Sequence, residues 1–159
     1  MLIVEEQIET VERLRELLPT EGFVKTFLKV SDRLNDVARK FIENAPFVIV
    51  ATKASEGLID VSPKGDPAGF VEVYDEKTLI IPDRLGNHRV YGFQNLIEDS
   101  NVALLFIVPG HGDSLRIAGK ARIVRDTVIN KSHAINRKEA TLADRVIDAY
   151  AVVLMRADV

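Results

Sequence analysis

Apolar residues recur at helical spacing in two stretches near the start of the chain. In residues 4–18 they fall every three or four positions, and the stretch 19–22, which contains Pro and Gly, ends the predicted helix. The apolar side of this helix is expected to pack on the body of the domain. A second helix is predicted before Pro46, with Ser31 or Asp32 as its N-cap.

After Pro46 the pattern changes to short β-branched runs and to alternating apolar and polar residues, both typical of strands. The first run, FVIVAT, has the composition of a strand buried on both faces. The strands predicted in this way are Phe47–Thr52, Gly57–Val61, Phe70–Tyr74, Thr78–Ile81, Asn101–Val108, Ser114–Arg125 and Ala149–Met155. The first four form two hairpins, residues 87–100 form a helix, and residues 126–147 are expected to include another helix.

Six or seven mostly antiparallel strands with helices at their ends predict a small β-barrel with α additions, an α+β domain. The 159 residues predict a single domain, and a chain of this length buries about 68 to 70% of its unfolded surface. No internal repeat or low-complexity linker divides it. A core is therefore expected to form without covalent cross-links.

Composition and charge exclude several functional classes. The chain has no cysteine, so disulfide scaffolds, thiolate metal sites and cysteine nucleophiles are excluded. Its net charge of -3 argues against general nucleic-acid binding, and its apolar runs are too short to cross a bilayer. The first residues, MLIVEEQIET, lack the cationic start of a signal peptide, and we expect a cytoplasmic protein.

Two stretches gather Gly, Pro and small polar residues around cationic side chains: DVSPKGDPAGF at 60–70 and PDRLGNHR at 82–89. Such a combination predicts an anion pocket, because glycine lets backbone N–H groups approach a phosphate while cations balance its charge. The groups that would form it are Lys64, Arg84, Arg89, Ser62, Asn87, Gly65 and Gly86. Asn87 begins a predicted helix, whose N-terminus favours anions. The alternative is two polar β-turns that need Pro and Gly for their shape.

The motifs D-x-S-P-K-G-D, I-P-D-R-x-G-N-x-R and L-R-I-x-G follow one another in this order. Over residues 31–125 the chain thereby resembles the pyridoxamine 5'-phosphate oxidase-like, FMN-binding split-barrel family. The resemblance implies a six-stranded antiparallel split β-barrel of Greek-key type with flanking helices. It implies one domain, 1–159, with an N-terminal helical segment, 1–44, and a barrel, 45–159. It also implies a homodimer with FMN at the subunit interface and two cofactor sites per dimer.

Carried over position by position, the resemblance implies roles for individual residues. The phosphate and ribityl end of FMN would contact Lys64, Asn87, His88 and Arg89, with Ser62 and Gly65 in the same loop. The residues along the flavin ring would be Pro82, Asp83 and Arg84, and those approaching from the following strand would be Ser114 and Arg116. Of these, Arg84 and Arg116 are the candidates for placing positive charge near the ring.

The sequence departs from the family in two places. His88 stands where the founding enzymes carry a stronger cation, which predicts weaker or pH-dependent phosphate binding. The C-terminal stretch that contains KEATLADRVIDAYAVVLMRADV matches the family weakly. Among the other histidines, His111 is interpreted as an exposed turn residue and His133 is given no role.

The resemblance thus predicts an FMN-dependent oxidoreductase, with no substrate identified and no general acid or base nominated. Hydride or electron transfer would belong to the flavin ring. Two other classes stay open. One is a split-barrel protein that binds another flavin-like ligand, such as a deazaflavin, or a haem-like ligand; the other is a cofactor-free dimeric regulatory protein. No nucleic acid or membrane is expected as a partner.

Overall fold

The computed structural model of the protein describes residues 5–18, 31–83, 90–124 and, through their backbone, 142–154. The helices in these ranges are α1 (Val11–Leu17), α2 (Asp36–Asn44) and α3 (Tyr91–Glu98). The strands are β1 (Phe47–Lys53), β2 (Ile59–Gly65), β3 (Glu72–Val73), β4 (Thr78–Asp83), β5 (Asn101–Ile107), β6 (Ser114–Ile123) and β7 (Leu142–Leu154).

All seven strands belong to one sheet in the order β2-β1-β5-β6-β7-β4-β3, and every neighbouring pair is antiparallel. The predicted hairpins β1–β2 and β3–β4 are confirmed. So is the mainly β, antiparallel α+β class. Within the described residues no backbone ladder joins β2 to β3, so the sheet has two ends.

The core lies on one face of this sheet, here called the inner face. Directly paired residues share a face, and the row Val48, Phe106 and Leu115 across β1, β5 and β6 is almost fully buried. Phe47–Thr52 was expected to be buried on both faces. Instead β1 alternates buried inner residues with half-buried outer ones. The opposite, outer face of β1 is therefore only partly covered.

α2 packs against this core through Ala38 and Ile42, both fully buried. Its N-cap is Asn35, whose side-chain oxygen accepts a hydrogen bond from the backbone N–H of Ala38 at 2.9 Å. The predicted caps are therefore wrong. The Ser31 hydroxyl instead bonds the backbone of Arg33, accepting from its N–H at 3.2 Å and donating to its carbonyl at 2.8 Å.

α1 forms where the N-terminal periodicity predicted a helix, although it starts later, after the N-cap Thr10. Its apolar side does not pack as expected, because none of its residues is buried. Val11, Leu14 and Leu17 are each about half exposed, at 56%, 46% and 48%. In the described part of the chain, α1 thus contributes nothing to the core.

Four strands are longer than predicted: β1 ends at Lys53 and β4 at Asp83, and β2 and β7 are extended further. β2 continues past Val61 to Gly65, so that Ser62 and Lys64 lie in a strand and not in a loop. β7 begins at Leu142, inside the stretch where a helix was expected. The rest of the stretch 126–147, which was expected to include a helix, lies outside the described residues. α3 begins at Tyr91, later than the predicted start.

α3 packs on the inner face through Leu96 and is also tied to it by a buried hydrogen bond. The Asn95 side-chain amide donates to the hydroxyl of Thr52 on β1 at 3.0 Å, and both residues are buried. A buried polar group left without a partner is costly, so this bond contributes to where α3 sits on the sheet.

We expect Thr52→Val to lower the free energy of unfolding by about 1–3 kcal/mol, because it strands the buried Asn95 amide at nearly constant side-chain volume. Urea unfolding followed by circular dichroism measures this loss. Ser55→Ala in the exposed β1–β2 turn is the matched control and should change little. Equal stability of the natural protein and T52V would show that the amide finds another partner.

Gly69, in the connection from β2 to β3, has a φ of 82° and lies against α2. A Cβ at this position would come within 3.2 Å of the backbone oxygen of Glu43. Gly57 also has a positive φ, 85°, but a Cβ there would meet nothing within 4 Å. Both glycines therefore have a left-handed backbone conformation, but only Gly69 lacks space for a Cβ atom.

Alanine should destabilise the protein at both positions, by about 1–2 kcal/mol for the left-handed backbone, and by more at Gly69 because of the contact with α2. Thermal or urea unfolding of Gly69→Ala and Gly57→Ala measures the difference. Equal losses would mean that α2 moves away at no cost.

Candidate functional site

The inner face of β2 is polar. Asp60, Ser62 and Lys64 alternate along this strand with exposed residues, and all three are half-buried. Lys64 pairs with Val48 and so shares the inner face with the apolar core row. Because β2 is an end strand of the sheet, these side chains border the open side of the core.

Lys64 reaches across this open side to β4. Its Nζ lies 3.0 Å from Oδ1 of Asp83, and the two side chains are only 20% and 23% exposed. β2 is the first strand in the sheet order and β4 the sixth, so the sheet must curl until these strands face one another. The curl brings a residue of each predicted anion-binding stretch into direct contact. We call the group Asp60, Ser62, Lys64 and Asp83 the seam.

The structure also describes two other predicted site residues, Gly65 on β2 and Pro82 on β4. Gly65 ends β2, is exposed, and pairs with Phe47 on the outer face. Its φ is not in the left-handed range, so its backbone conformation does not require glycine. Pro82 is buried beside Asp83 at the end of β4.

Ser114 and Arg116 lie on the outer face of β6. Arg116 is exposed and pairs with Leu105, which in turn pairs with Ile49 and so shares its face with Pro63. Lys64, by contrast, faces inward. The structure therefore does not bring Arg116 and Lys64 of one chain to the same side of the sheet.

The remaining predicted site residues, Arg84, Asn87, His88 and Arg89, lie outside the described residues, as does His133. Their predicted roles stay predictions.

A cavity of about 540 Å³ lies between α2 and the β5–β6 turn. Its lining surface is largely apolar and is formed by Val37, Ala38, Lys40, Phe41, Asn44, Val108, His111, Asp113, Ser114 and Leu115. Its size falls in the range of small-molecule sites. Lys64 and Asp83 do not line it, so the cavity and the seam are separate features of the described chain.

Sequence reasoning missed this cavity, and it treated His111 as a turn residue only. The His111 side chain is 61% exposed, and its Nδ1 lies 3.7 Å from Oδ2 of Asp113. The imidazole meets the ring of Phe41 edge to face, with 6.2 Å between centroids. The contact joins residues 70 positions apart, and no local pattern signals it.

In the described part of the chain, no group of three or more His, Cys, Asp or Glu residues is placed to hold a metal ion. No described helix is long and apolar enough to span a membrane.

The fold defines an α+β protein built on one curled antiparallel sheet whose inner face is packed with helices, with a charged seam on its open side. The family model of pyridoxamine 5'-phosphate oxidase matches residues 34–158, so the chain belongs to that family. This confirms the resemblance found in the sequence motifs. A search of curated proteins by sequence found no match.

Several solved structures share this fold. A candidate pyridoxamine 5'-phosphate oxidase from Lactobacillus delbrueckii aligns with a TM-score of 0.61 at 19% identity, covering 77% of this chain and 97% of that one. HupZ of Group A Streptococcus aligns at 0.56 and 20% identity, covering 72% and 88%. General stress protein 26 of Bacillus anthracis aligns at 0.55 and 11% identity, covering 72% and 89%. At these identities the similarity concerns the fold alone.

Proposed function

We propose that the protein is an FMN-binding flavoprotein that works as a homodimeric split-barrel oxidoreductase. The observation that carries this proposal is the position of Lys64, a half-buried cation held at the open side of the curled sheet in contact with the second motif stretch. Membership of the pyridoxamine 5'-phosphate oxidase family supports it.

The seam fits the phosphate end of FMN in its donor groups. A phosphate taken out of water needs cationic and hydrogen-bonding partners. Lys64 offers an ammonium group, and the Ser62 hydroxyl lies two residues away on the same face. In the sequence Arg84 follows Asp83 directly and Arg89 comes six positions after it, and these two arginines would add the further positive charge that a dianion needs.

A second copy of the chain would supply the other side of the site. Arg116 and Lys64 lie on opposite faces of one sheet, so they can contact one ligand together only if they come from different copies. The outer face also offers apolar surface to cover, since Ile59 and Val61 are 63% and 57% exposed. The first observation favours a site shared between copies, and the second favours an interface that includes the outer face.

Bound FMN would supply the redox chemistry by accepting and donating hydride or single electrons. The described residues would bind and orient it. Lys64 would hold the anionic tail, and Arg116 of the second copy would place positive charge beside the ring. The inner-face core would keep water from one side of the seam.

One observation favours a second candidate function, a cofactor-free dimeric regulatory protein. Lys64 already has an ionic partner in Asp83, so its charge is balanced without any ligand. The visible spectrum of the purified protein distinguishes the two candidate functions, because a flavoprotein is yellow and a cofactor-free protein is colourless. Mass analysis of any released ligand would also identify a deazaflavin or haem.

We expect Lys64→Ala to weaken FMN binding by more than about tenfold, since a charge-assisted contact to phosphate is lost, and Arg89→Ala to weaken it further. Quenching of flavin fluorescence on titration measures the dissociation constant. Lys53→Ala, an exposed cation on β1, is the matched control. If affinity survives the double substitution K64A/R89A with the fold intact, the phosphate assignment is wrong.

Mixed dimers test whether the site is shared between copies. Subunits carrying Lys64→Ala and subunits carrying Arg116→Ala should each form dimers that bind FMN weakly. A heterodimer of the two should regain one tight site, because one of its two sites then contains Lys64 and Arg116 together. FMN stoichiometry of differently tagged, co-purified heterodimers gives the answer. Weak binding at both sites would show that the two residues act within one chain.

A further inference from the structure

The seam contains two carboxylates, although a site that binds an anion needs positive charge. Asp83 lies 3.0 Å from the Lys64 ammonium, and Asp60 follows the same inner face of β2. Lys64 and Asp83 together carry no net charge, so a phosphate approaching the seam gains nothing from Lys64 unless Asp83 gives way. The contact is also shielded, with about four fifths of each side chain out of solvent.

We infer that Asp83 is an internal counter-ion of Lys64 which an anionic ligand must displace, so that Asp83 sets the affinity and the charge selectivity of the seam. This inference rests on the proposed function in one respect, namely that a ligand's phosphate binds at Lys64. Its second part, the coupling of Asp83 to Lys64 in the ligand-free protein, does not depend on any ligand.

The physical reason is competition for one cation. A carboxylate carries one charge, while a phosphate monoester carries close to two near neutral pH and offers three acceptor oxygens. A dianion can therefore replace Asp83 at Lys64, whereas a monoanion with fewer acceptors gains little from the exchange. The low solvent exposure of the two side chains strengthens this discrimination, because charges shielded from water interact more strongly.

The same pair has a mechanical consequence. Lys64 and Asp83 join the first and sixth strands of a sheet whose ends are not joined by a backbone ladder in the described residues. The contact therefore acts as a side-chain clasp over the open side of the core. Displacing Asp83 from Lys64 would exchange this clasp for a ligand-mediated one.

The test uses Asp83→Asn, which removes the charge and keeps the shape and one acceptor oxygen of the side chain. We expect D83N to bind FMN about tenfold more tightly than the natural protein, and riboflavin, which has no phosphate, with unchanged affinity. In a Lys64→Met background D83N should bring a clearly smaller gain, because only the direct repulsion between Asp83 and the phosphate is then removed. Glu56→Gln, an exposed carboxylate in the β1–β2 turn, is the matched control for net charge.

Unchanged or weaker FMN binding by D83N would overturn the inference and make Asp83 a group that positions Lys64 for the ligand. A parallel gain for riboflavin would overturn the charge argument as well. If neither the natural protein nor D83N binds FMN, the flavin proposal fails. Inorganic phosphate then decides the inference, since it should still raise the unfolding temperature of D83N more than that of the natural protein.

The clasp is tested without ligand by urea unfolding of D83N, K64M and the double variant. Both single variants should unfold at lower urea, and the double variant should lose less than the sum of the two losses. Additive losses of stability would show that the two side chains do not stabilise each other and that they form no clasp.

Discussion

The structure depends on burying one face of a single antiparallel sheet. Val48, Phe106 and Leu115 form a continuous apolar row across three strands, and no second sheet covers it in the described chain. A twisted sheet can bury such a row by curling over it and by placing helices against it. α2 and α3 pack against the row, and the contact between Lys64 and Asp83 shows that the sheet curls. The seam is thus a consequence of how the core is closed.

An end strand with inward-pointing charge has two effects at once. Such charge discourages pairing with another sheet edge, which is one way that proteins protect exposed strands. It also leaves a cation and a carboxylate where a curled sheet stays open, in partial shelter from water. The polar inner face of β2 therefore serves the solubility of the edge and the chemistry of the seam together. The outer residues Ile59 and Val61 are apolar and exposed instead, so the two faces of β2 differ in character.

Local patterns predicted the hairpins and the α+β class, because alternation and β-branched runs are short-range signals. Local patterns were less successful where pairing between strands that are distant in sequence determines the structure. Pro63 made residues 62–65 look like a turn, yet β2 is an end strand, where a missing N–H is tolerated. Leu142–Ile147 carries a helix-like mixture of charges and apolar residues, but its backbone pairs with both β4 and β6. Two strand partners outweigh a weak local preference.

The candidate site shows the same division. Sequence motifs placed Lys64 and Asp83 in the site, and the structure adds what no motif contains: that they touch, and that Arg116 lies on the other face of the sheet. The cavity beside α2 is lined in part by Phe41 and His111, and no sequence spacing signals the contact between their rings. Which groups are near each other follows from strand order and register, whereas which groups are chemically able to bind follows from sequence. A cation that is neutralised by its own fold can still bind an anion, provided the anion offers more charge than the carboxylate it replaces.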